Sequence, residues 1–402
     1  MANAEHLALL KQGANEWNQW RKKHSRIIPD LEKANLCNLD LSEVNLKKAR
    51  LNQANFSQTN LKKAQLAKAD LQGANFLGAD LRGADLRGAN LDYVIFTQAQ
   101  IDPKTKIAAK SRQVWEIINQ QTDNKNFSGI DLSHTNLFGC DLSGADLSNV
   151  KFNHANLSRA NLKDAYLYKA DLTGVNFHDA DLTNAYFSNA NLTKAYLGGA
   201  SCGGTYFKNA ELKFANFKTA KINHKTMIDL KWYSVWEIVN RGAAKKNLSG
   251  IDLSNANLQG VNFEEANLTN ANLSNAILRE SNLNRANLTN TDLVGANICG
   301  VKLDSSHIKG TKLKAIVSDR DTQLPVPVSA GTTTLIAPKP TETKILTEAT
   351  IEKQKPVSHK KFVWIFLLGI IGFIGIGGYI FFSNNPDFPW RQKIEQLVPQ
   401  FN

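Results

Sequence analysis

Leu31, Leu36, Leu41, Leu46, Leu51, Phe56 and Leu61 open a row of large apolar residues spaced five apart, and the row continues without a gap to Ile101. Each is the centre of a unit. Two residues before it stands a small residue, usually Ala, as at Ala34, Ala54, Ala64, Ala69 and Ala74. One residue before it stands Asp or Asn, as at Asn35, Asn55, Asp70, Asp80 and Asp85. A fixed short period signals a repeat architecture and takes precedence over any residue-by-residue reading.

A period of five fits no ordinary element. On an α-helix every fifth residue drifts by roughly 140°, so no stripe forms. On a flat strand an odd step flips the side chain to the other face each time. The chain must therefore turn a corner in every unit, and a solenoid satisfies this. The centre and the small residue point inward, and the other three positions point out. The inner small position keeps a narrow axis from being overpacked.

The repeated A-(D/N)-L-x-x unit resembles the pentapeptide-repeat family. That resemblance implies an all-β solenoid, a right-handed quadrilateral β-helix with four units per coil. Long chains of this kind look most like those of cyanobacteria. Three blocks carry the repeat, with centres from Leu31 to Ile101, Phe127 to Ile222 and Leu248 to Leu313. Of these 49 centres, 48 are Leu, Phe or Ile, and the exception is Cys202. About twelve coils at a strand spacing of about 4.8 Å would make a stack roughly 58 Å long if continuous. Each buried centre contributes about 1.5–3 kcal/mol, so the core needs neither disulfides nor metal.

The breaks between blocks are themselves duplicated at an offset of 121 residues. Val114-Trp115-Glu116-Ile117 matches Val235-Trp236-Glu237-Ile238, and Ser128-Gly129-Ile130-Asp131 matches Ser249-Gly250-Ile251-Asp252. Val114, Ile117 and Ile118 have helical spacing, which predicts a short helix that plugs or bridges adjacent solenoid ends, or one that acts as a hinge or docking helix. Near the amino end Leu7, Leu10, Ala14, Trp17 and Trp20 also recur at helical spacing, as a cap over an apolar terminal coil requires. Arg21-Lys22-Lys23 then reads as a solvated helix end or a lipid contact. Residues 1–30 lack a continuous apolar stretch, so no signal peptide is expected there. The expected divisions are a cap at 1–28, blocks at 29–102, 125–223 and 246–317, helical linkers at 103–124 and 224–245, a Pro- and Thr-rich disordered linker at 318–361, and a tail at 383–402.

Residues 362–382 form an uncharged apolar run of the length a bilayer requires. Trp364 and Tyr379 suit the interfaces, and Lys360 and Lys361 lead a basic flank. The expectation is a single-pass transmembrane helix with the solenoid in the cytoplasm, in a plasma or thylakoid membrane if the chain is cyanobacterial. Gly369, Gly372, Gly375 and Gly378 also allow self-association through this helix.

The formal net charge is +12, of which residues 1–317 carry +10. Some pentapeptide-repeat proteins mimic DNA and protect DNA gyrase, which needs an acidic face, so this balance argues against that role. Lys47, Lys48, Lys62, Lys63, Arg82 and Arg87 thicken the first block, yet no nucleic-acid module is present, and an anionic surface or acidic partner explains the charge as well.

Chemistry is sparse. Cys37, Cys140, Cys202 and Cys299 form no CxxC; two sit at inward positions and two point out, as reduced thiols. His134 and His154 fall one coil apart at an outward position, which suits a solvated surface better than a metal site lacking a third ligand. No nucleophile–base pair or cofactor motif emerges, so the chain reads as a non-enzyme without metal or cofactor. One surface feature stands out. Tyr166, Tyr186 and Tyr206 replace the usual Asp or Asn at 20-residue steps, and Tyr196 falls on the opposite face. They predict a vertical aromatic ladder, either a stabilising surface stack or a partner-binding stripe. The reading is a membrane-anchored scaffold for an unknown cytoplasmic protein partner; the competing class is a structural spacer that organises the envelope.

Overall fold

The computed structural model of the protein describes residues 2–120, 125–319 and 322, which lie within one compact unit, Met1–Pro338. The five-residue period resolves into one turn and one bridge. The centre accepts a hydrogen bond from the small residue three positions on, as in Ala34 N to Leu31 O at 3.0 Å and Ala54 N to Leu51 O at 3.0 Å. The third turn residue has positive φ, +59° at Lys33, +58° at Gln53 and +67° at Gly73, as a type II turn requires. The amides of the centre and of the positive-φ residue also donate to the next coil, as in Leu31 N to Arg50 O at 2.8 Å and Lys33 N to Asn52 O at 2.9 Å, but only the Asp or Asn position has ladder geometry. It makes single parallel bridges, Asn35 to Asn55 and Asn55 to Asn75 among them. A 20-residue register with one turn per five residues gives four sides to each coil. Among the described residues, each side holds one bridge residue rather than a strand of several, because the turn consumes the rest of the unit.

The Asp or Asn has a second task. Its Oδ1 accepts the amide two residues on, as in Ser42 N to Asp40 at 3.0 Å and Leu77 N to Asn75 at 2.9 Å. This Asx bond fixes the start of the turn. The same side chains link successive coils, with Asn60 Nδ2 donating to Asp40 Oδ1 at 2.9 Å. The Leu, Phe and Ala positions fill the interior, where Phe56, Phe76 and Phe96 stack with centroids 5.1 and 6.1 Å apart.

Among the described residues four helices lie at the ends of coils. Helices α1 (Ala4–Lys11) and α2 (Ala14–Lys23) carry the amino-terminal stripe, parted at Gly13 with φ +127°. Helices α3 (Ala109–Asn119) and α4 (Leu230–Arg241) stand at the two block breaks. Each covering helix offers a Trp and an Asn to the bare coil edge. Trp17 Nε1 donates to Asn45 O at 2.8 Å, Trp115 to Ala99 O at 2.6 Å and Trp236 to Ala220 O at 2.7 Å. Asn18 Oδ1 accepts Asn45 N, Asn119 accepts Gln98 N and Asn240 accepts Thr219 N, each at 2.7 Å. These side chains satisfy backbone groups that a neighbouring coil would otherwise pair. Arg21 is buried, not solvated, and its guanidinium donates to Ile27 O at 2.7 Å.

Each block ends in the same loop, with Asp or Asn followed three residues later by Thr. Asp102, Asn223 and Asp319 accept the amides of Gly83, Gly204 and Gly300 at 2.9, 3.2 and 3.1 Å. Thr105, Thr226 and Thr322 donate back to Leu81, Cys202 and Ile298. The blocks then continue as one stack. Tyr93 N donates to His134 O at 2.9 Å, and its counterpart Phe214 N donates to Asn255 O at 2.8 Å.

The expected membrane placement, single-pass with a cytoplasmic solenoid, is corrected. Among the described residues no helix is long and apolar enough to cross a membrane. The described helices run to 8–12 residues, against the ~20 that a bilayer core needs. The expected span at 362–382, with Lys360, Lys361, Trp364 and Tyr379, lies outside the described residues, as do the glycines expected to support self-association.

Candidate functional site

The Asp/Asn column that runs from Asn126 to Asp146 changes character at the next coil. Asp146 bridges to Tyr166, Tyr166 to Tyr186, Tyr186 to Tyr206, and Tyr206 to Met227. The rings of Tyr166 and Tyr186 stack with centroids 4.8 Å apart and planes 4° from parallel. Those of Tyr186 and Tyr206 stack at 4.7 Å and 14°. The spacing is that of the coils themselves, because each Tyr amide is tied to the coil before it, Tyr166 N to Ala145 O at 2.8 Å and Tyr186 N to Ala165 O at 2.9 Å. A tyrosine cannot make the Asx bond that an Asn makes at this position, so the ladder replaces a local polar contact with ring-on-ring packing.

The ladder is open at one end and half-buried at Tyr186 and Tyr206. Tyr166 is 37% exposed, and Tyr168 flanks it at 6.4 Å, with the Lys169 ammonium 5.1 Å over the Tyr168 ring. Burial, and then the neighbouring Tyr186, push the Tyr166 phenol above its ordinary pKa; burial does the same for Tyr206. Both therefore stay neutral near physiological pH and present a hydroxyl above an apolar ring, the chemistry favoured at protein interfaces.

The stripe is longer than the tyrosine spacing indicates. Met227 extends the column and is 54% exposed; Leu230, three residues on, is 78% exposed, and Tyr233 follows on α4. A strict 20-residue step misses Met227, because the closing loop at Asn223–Thr226 lengthens the step from Tyr206 to 21 residues. The same 21-residue step pairs Asp85 with Lys106 in the first block. Tyr196 belongs to another column, between Asn176 and Asn216, and packs near His178 at 5.6 Å.

The other candidates are structural. His134 and His154 stack at 5.3 Å, and His134 Nδ1 lies 3.0 Å from the Tyr93 hydroxyl, which ties the first block to the second. Among the described residues no group of three His, Cys, Asp or Glu could hold a metal. All four cysteines are free. Burial pushes the Cys140 and Cys202 thiols up to about 12. Cys299, at an outward position, is nonetheless buried, with Sγ 3.9 Å from Val317 O. In the first block many cations are paired, Arg82 with Asp80 at 2.6 Å, Lys63 with Glu43 at 3.0 Å and Arg87 with Asp85 at 2.8 Å.

Comparison with known families matches the chain to Pentapeptide repeats in eight copies, at residues 30–64, 59–98, 126–164, 151–189, 160–199, 185–223, 247–285 and 281–315. No curated protein matches. Solved structures do. The chain is 21% identical to HetL, a pentapeptide repeat protein involved in heterocyst differentiation regulation in the cyanobacterium Nostoc sp. strain PCC 7120, over 77% of this chain and 98% of that one, with a TM-score of 0.18. It is 31% identical to a pentapeptide repeat protein from the Arabidopsis thaliana thylakoid lumen, over 28% of this chain and 77% of that one, with a TM-score of 0.26. It is 20% identical to QnrB1, a plasmid-mediated fluoroquinolone resistance protein, over 48% and 90%, with a TM-score of 0.20.

Proposed function

The chain belongs to the pentapeptide-repeat family, and on that premise we propose that it is a non-enzymatic scaffold whose right-handed, four-sided β-helix presents the tyrosine ladder to a protein partner. The observation that carries this reading is the substitution of Tyr for Asn at three successive coils of one column. Each substitution gives up an Asx bond that the repeat otherwise keeps, as Lys218 N to Asn216 Oδ1 at 2.9 Å illustrates. Rings held rigidly at coil spacing lose little further side-chain freedom when a partner docks, which favours binding. The continuation through Met227 adds an adaptable apolar end.

In this proposal the blocks at 29–102, 125–223 and 246–317 form the displayed rod, and the segments at 1–28, 103–124 and 224–245 cap and link them. A solenoid offers extended surface for such contacts. The test is proximity labelling from an enzyme fused to Met1 in the native cell. A discrete protein neighbour, lost when Tyr166, Tyr186 and Tyr206 become Asn, supports the scaffold reading. A neighbour set indifferent to those substitutions overturns it.

A further inference from the structure

The two block junctions are copies, and they differ at one place that matters. Lys110 Nζ donates to Ser133 Oγ at 3.0 Å and pairs with Asp131 at 3.2 Å; its counterpart Lys231 donates to Ser254 Oγ at 2.7 Å and pairs with Asp252 at 2.9 Å. The Trp and Asn contacts of α3 and α4 also correspond at the 121-residue offset. The next residue after each lysine does not. The second junction has Trp232, which is only 9% exposed, and the first has Ser111.

Where the second junction is filled, the first is hollow. A cavity of about 170 Å³ lies between α3 and the coils, lined by Ala89, Leu91, Val94, Phe96 and Val114 and, on its polar side, by Asn90, Asp92, Lys110, Ser111, Thr135 and Asn136. Ala89 and Leu91 are only partly buried, whereas their counterparts Ala210 and Leu212 are buried. By volume, ~150 Å³ is room enough for a benzene ring. Lys231 places its ammonium 5.2 Å from the Trp232 ring centroid, and Lys110 is tethered in the same way beside the empty space.

We propose that the first junction is a binding site for a planar, electron-rich aromatic group of indole size. The second junction supplies the template: Ala210, Leu212, Phe217 and Val235 correspond to Ala89, Leu91, Phe96 and Val114, Ala215 stands for Val94, and a buried indole lies beside the corresponding lysine. In the first junction the ring must come from outside the chain. The apolar residues of the lining suit an aromatic body, the Lys110 ammonium suits an electron-rich ring face, and Asp92, Asn90 and Asn136 can take up a ring N–H. This inference does not depend on the tyrosine ladder.

The full chain is titrated with indole by calorimetry, in parallel with Ser111→Trp, Ser111→Leu and Trp232→Ser. The expected result is one saturable site in the wild type and at least tenfold weaker binding in Ser111→Trp and Ser111→Leu. Trp232→Ser is expected to take two indoles per chain. Circular dichroism checks that each variant remains folded, and the leucine variant serves if the tryptophan does not fit. Parallel titration with N-acetyl-tryptophanamide distinguishes the source. Binding of both compounds points to an aromatic side chain of a peptide, and binding of indole alone to a free small molecule. An absence of saturable binding of either compound to the wild type, or Ser111 variants that bind as the wild type does, overturns the proposal.

Discussion

The side-chain amide of Asn119 donates to the carbonyl of Phe96 at 3.0 Å, and one helical residue thereby stands in for a missing coil. Its Oδ1 accepts the Gln98 amide at 2.7 Å, so both edges of the backbone are served at once. Asn240 repeats the arrangement on Phe217 and Thr219. Asn119→Ala or Asn240→Ala leaves a partly buried carbonyl, of Phe96 or Phe217, without its partner at a cost of ~1–3 kcal/mol, while the exposed amide of Gln98 or Thr219 turns to water. Thermal unfolding of each variant is expected to begin at the affected junction, and hydrogen exchange at Gln98 or Thr219 is expected to rise. An unchanged exchange rate there would refute the surrogate-coil account.

The tyrosine substitutions that test binding are expected to leave the rod intact. Asn is the residue the repeat ordinarily holds at that position, and it regains the Asx bond to the amide two residues on. The triple change Tyr166→Asn, Tyr186→Asn and Tyr206→Asn exchanges stacking worth ~0.5–1.5 kcal/mol per pair for three local hydrogen bonds of ~1 kcal/mol each. A thermal midpoint within a few degrees of the wild type is expected. A collapse of stability would mean that the ladder holds the coils together.

Positive φ recurs at one position of nearly every unit, and Gly139 isolates its cost. Its φ is +65°, and a Cβ there would meet nothing within 4 Å. Gly139→Asn is expected to be nearly neutral, while Gly139→Val should destabilise by ~1–2 kcal/mol, because a branched side chain is strained in this conformation. Denaturant midpoints of the two variants decide it.

Acid should loosen the first block late. The Arg82 guanidinium beside Asp80 holds its carboxyl down to about 2, and Arg87 does the same for Asp85. A carboxylate with a depressed folded-state pKa contributes stability that is fully present above its unfolded value near ~3.9 and lost as pH falls toward the folded one. Stability should therefore decline between about pH 4 and about pH 2. In Asp80→Asn with Asp85→Asn this part of the decline should be absent. An identical acid profile in the double variant would contradict the assignment.

The period of five in Leu31, Leu36 and Leu41 is enough to require a cornered solenoid, because no helix or flat strand brings every fifth residue to one side. The stacking of Tyr166 on Tyr186 is legible for the same reason, since residues 20 apart share a column. Other features depend on what happens where the period stops. Met227 joins the tyrosine column only because the Asn223–Thr226 loop adds one residue, and Cys299 is buried at an outward position against the Val317 carbonyl. The hollow at Ser111 becomes visible only when the two junctions are laid over each other, since nothing about a lone serine on a helix signals a cavity. The surrogate role of Asn119 is equally silent in the sequence, because Asn is common throughout the chain.

The central claim, that the ladder is the docking face, is tested most directly by placing a photo-crosslinking residue at Tyr186 and, separately, at Tyr196 on another column, and irradiating intact cells. The account predicts a discrete crosslinked protein from position 186 and none of that identity from position 196. The same product from both positions, or none from 186, would contradict it.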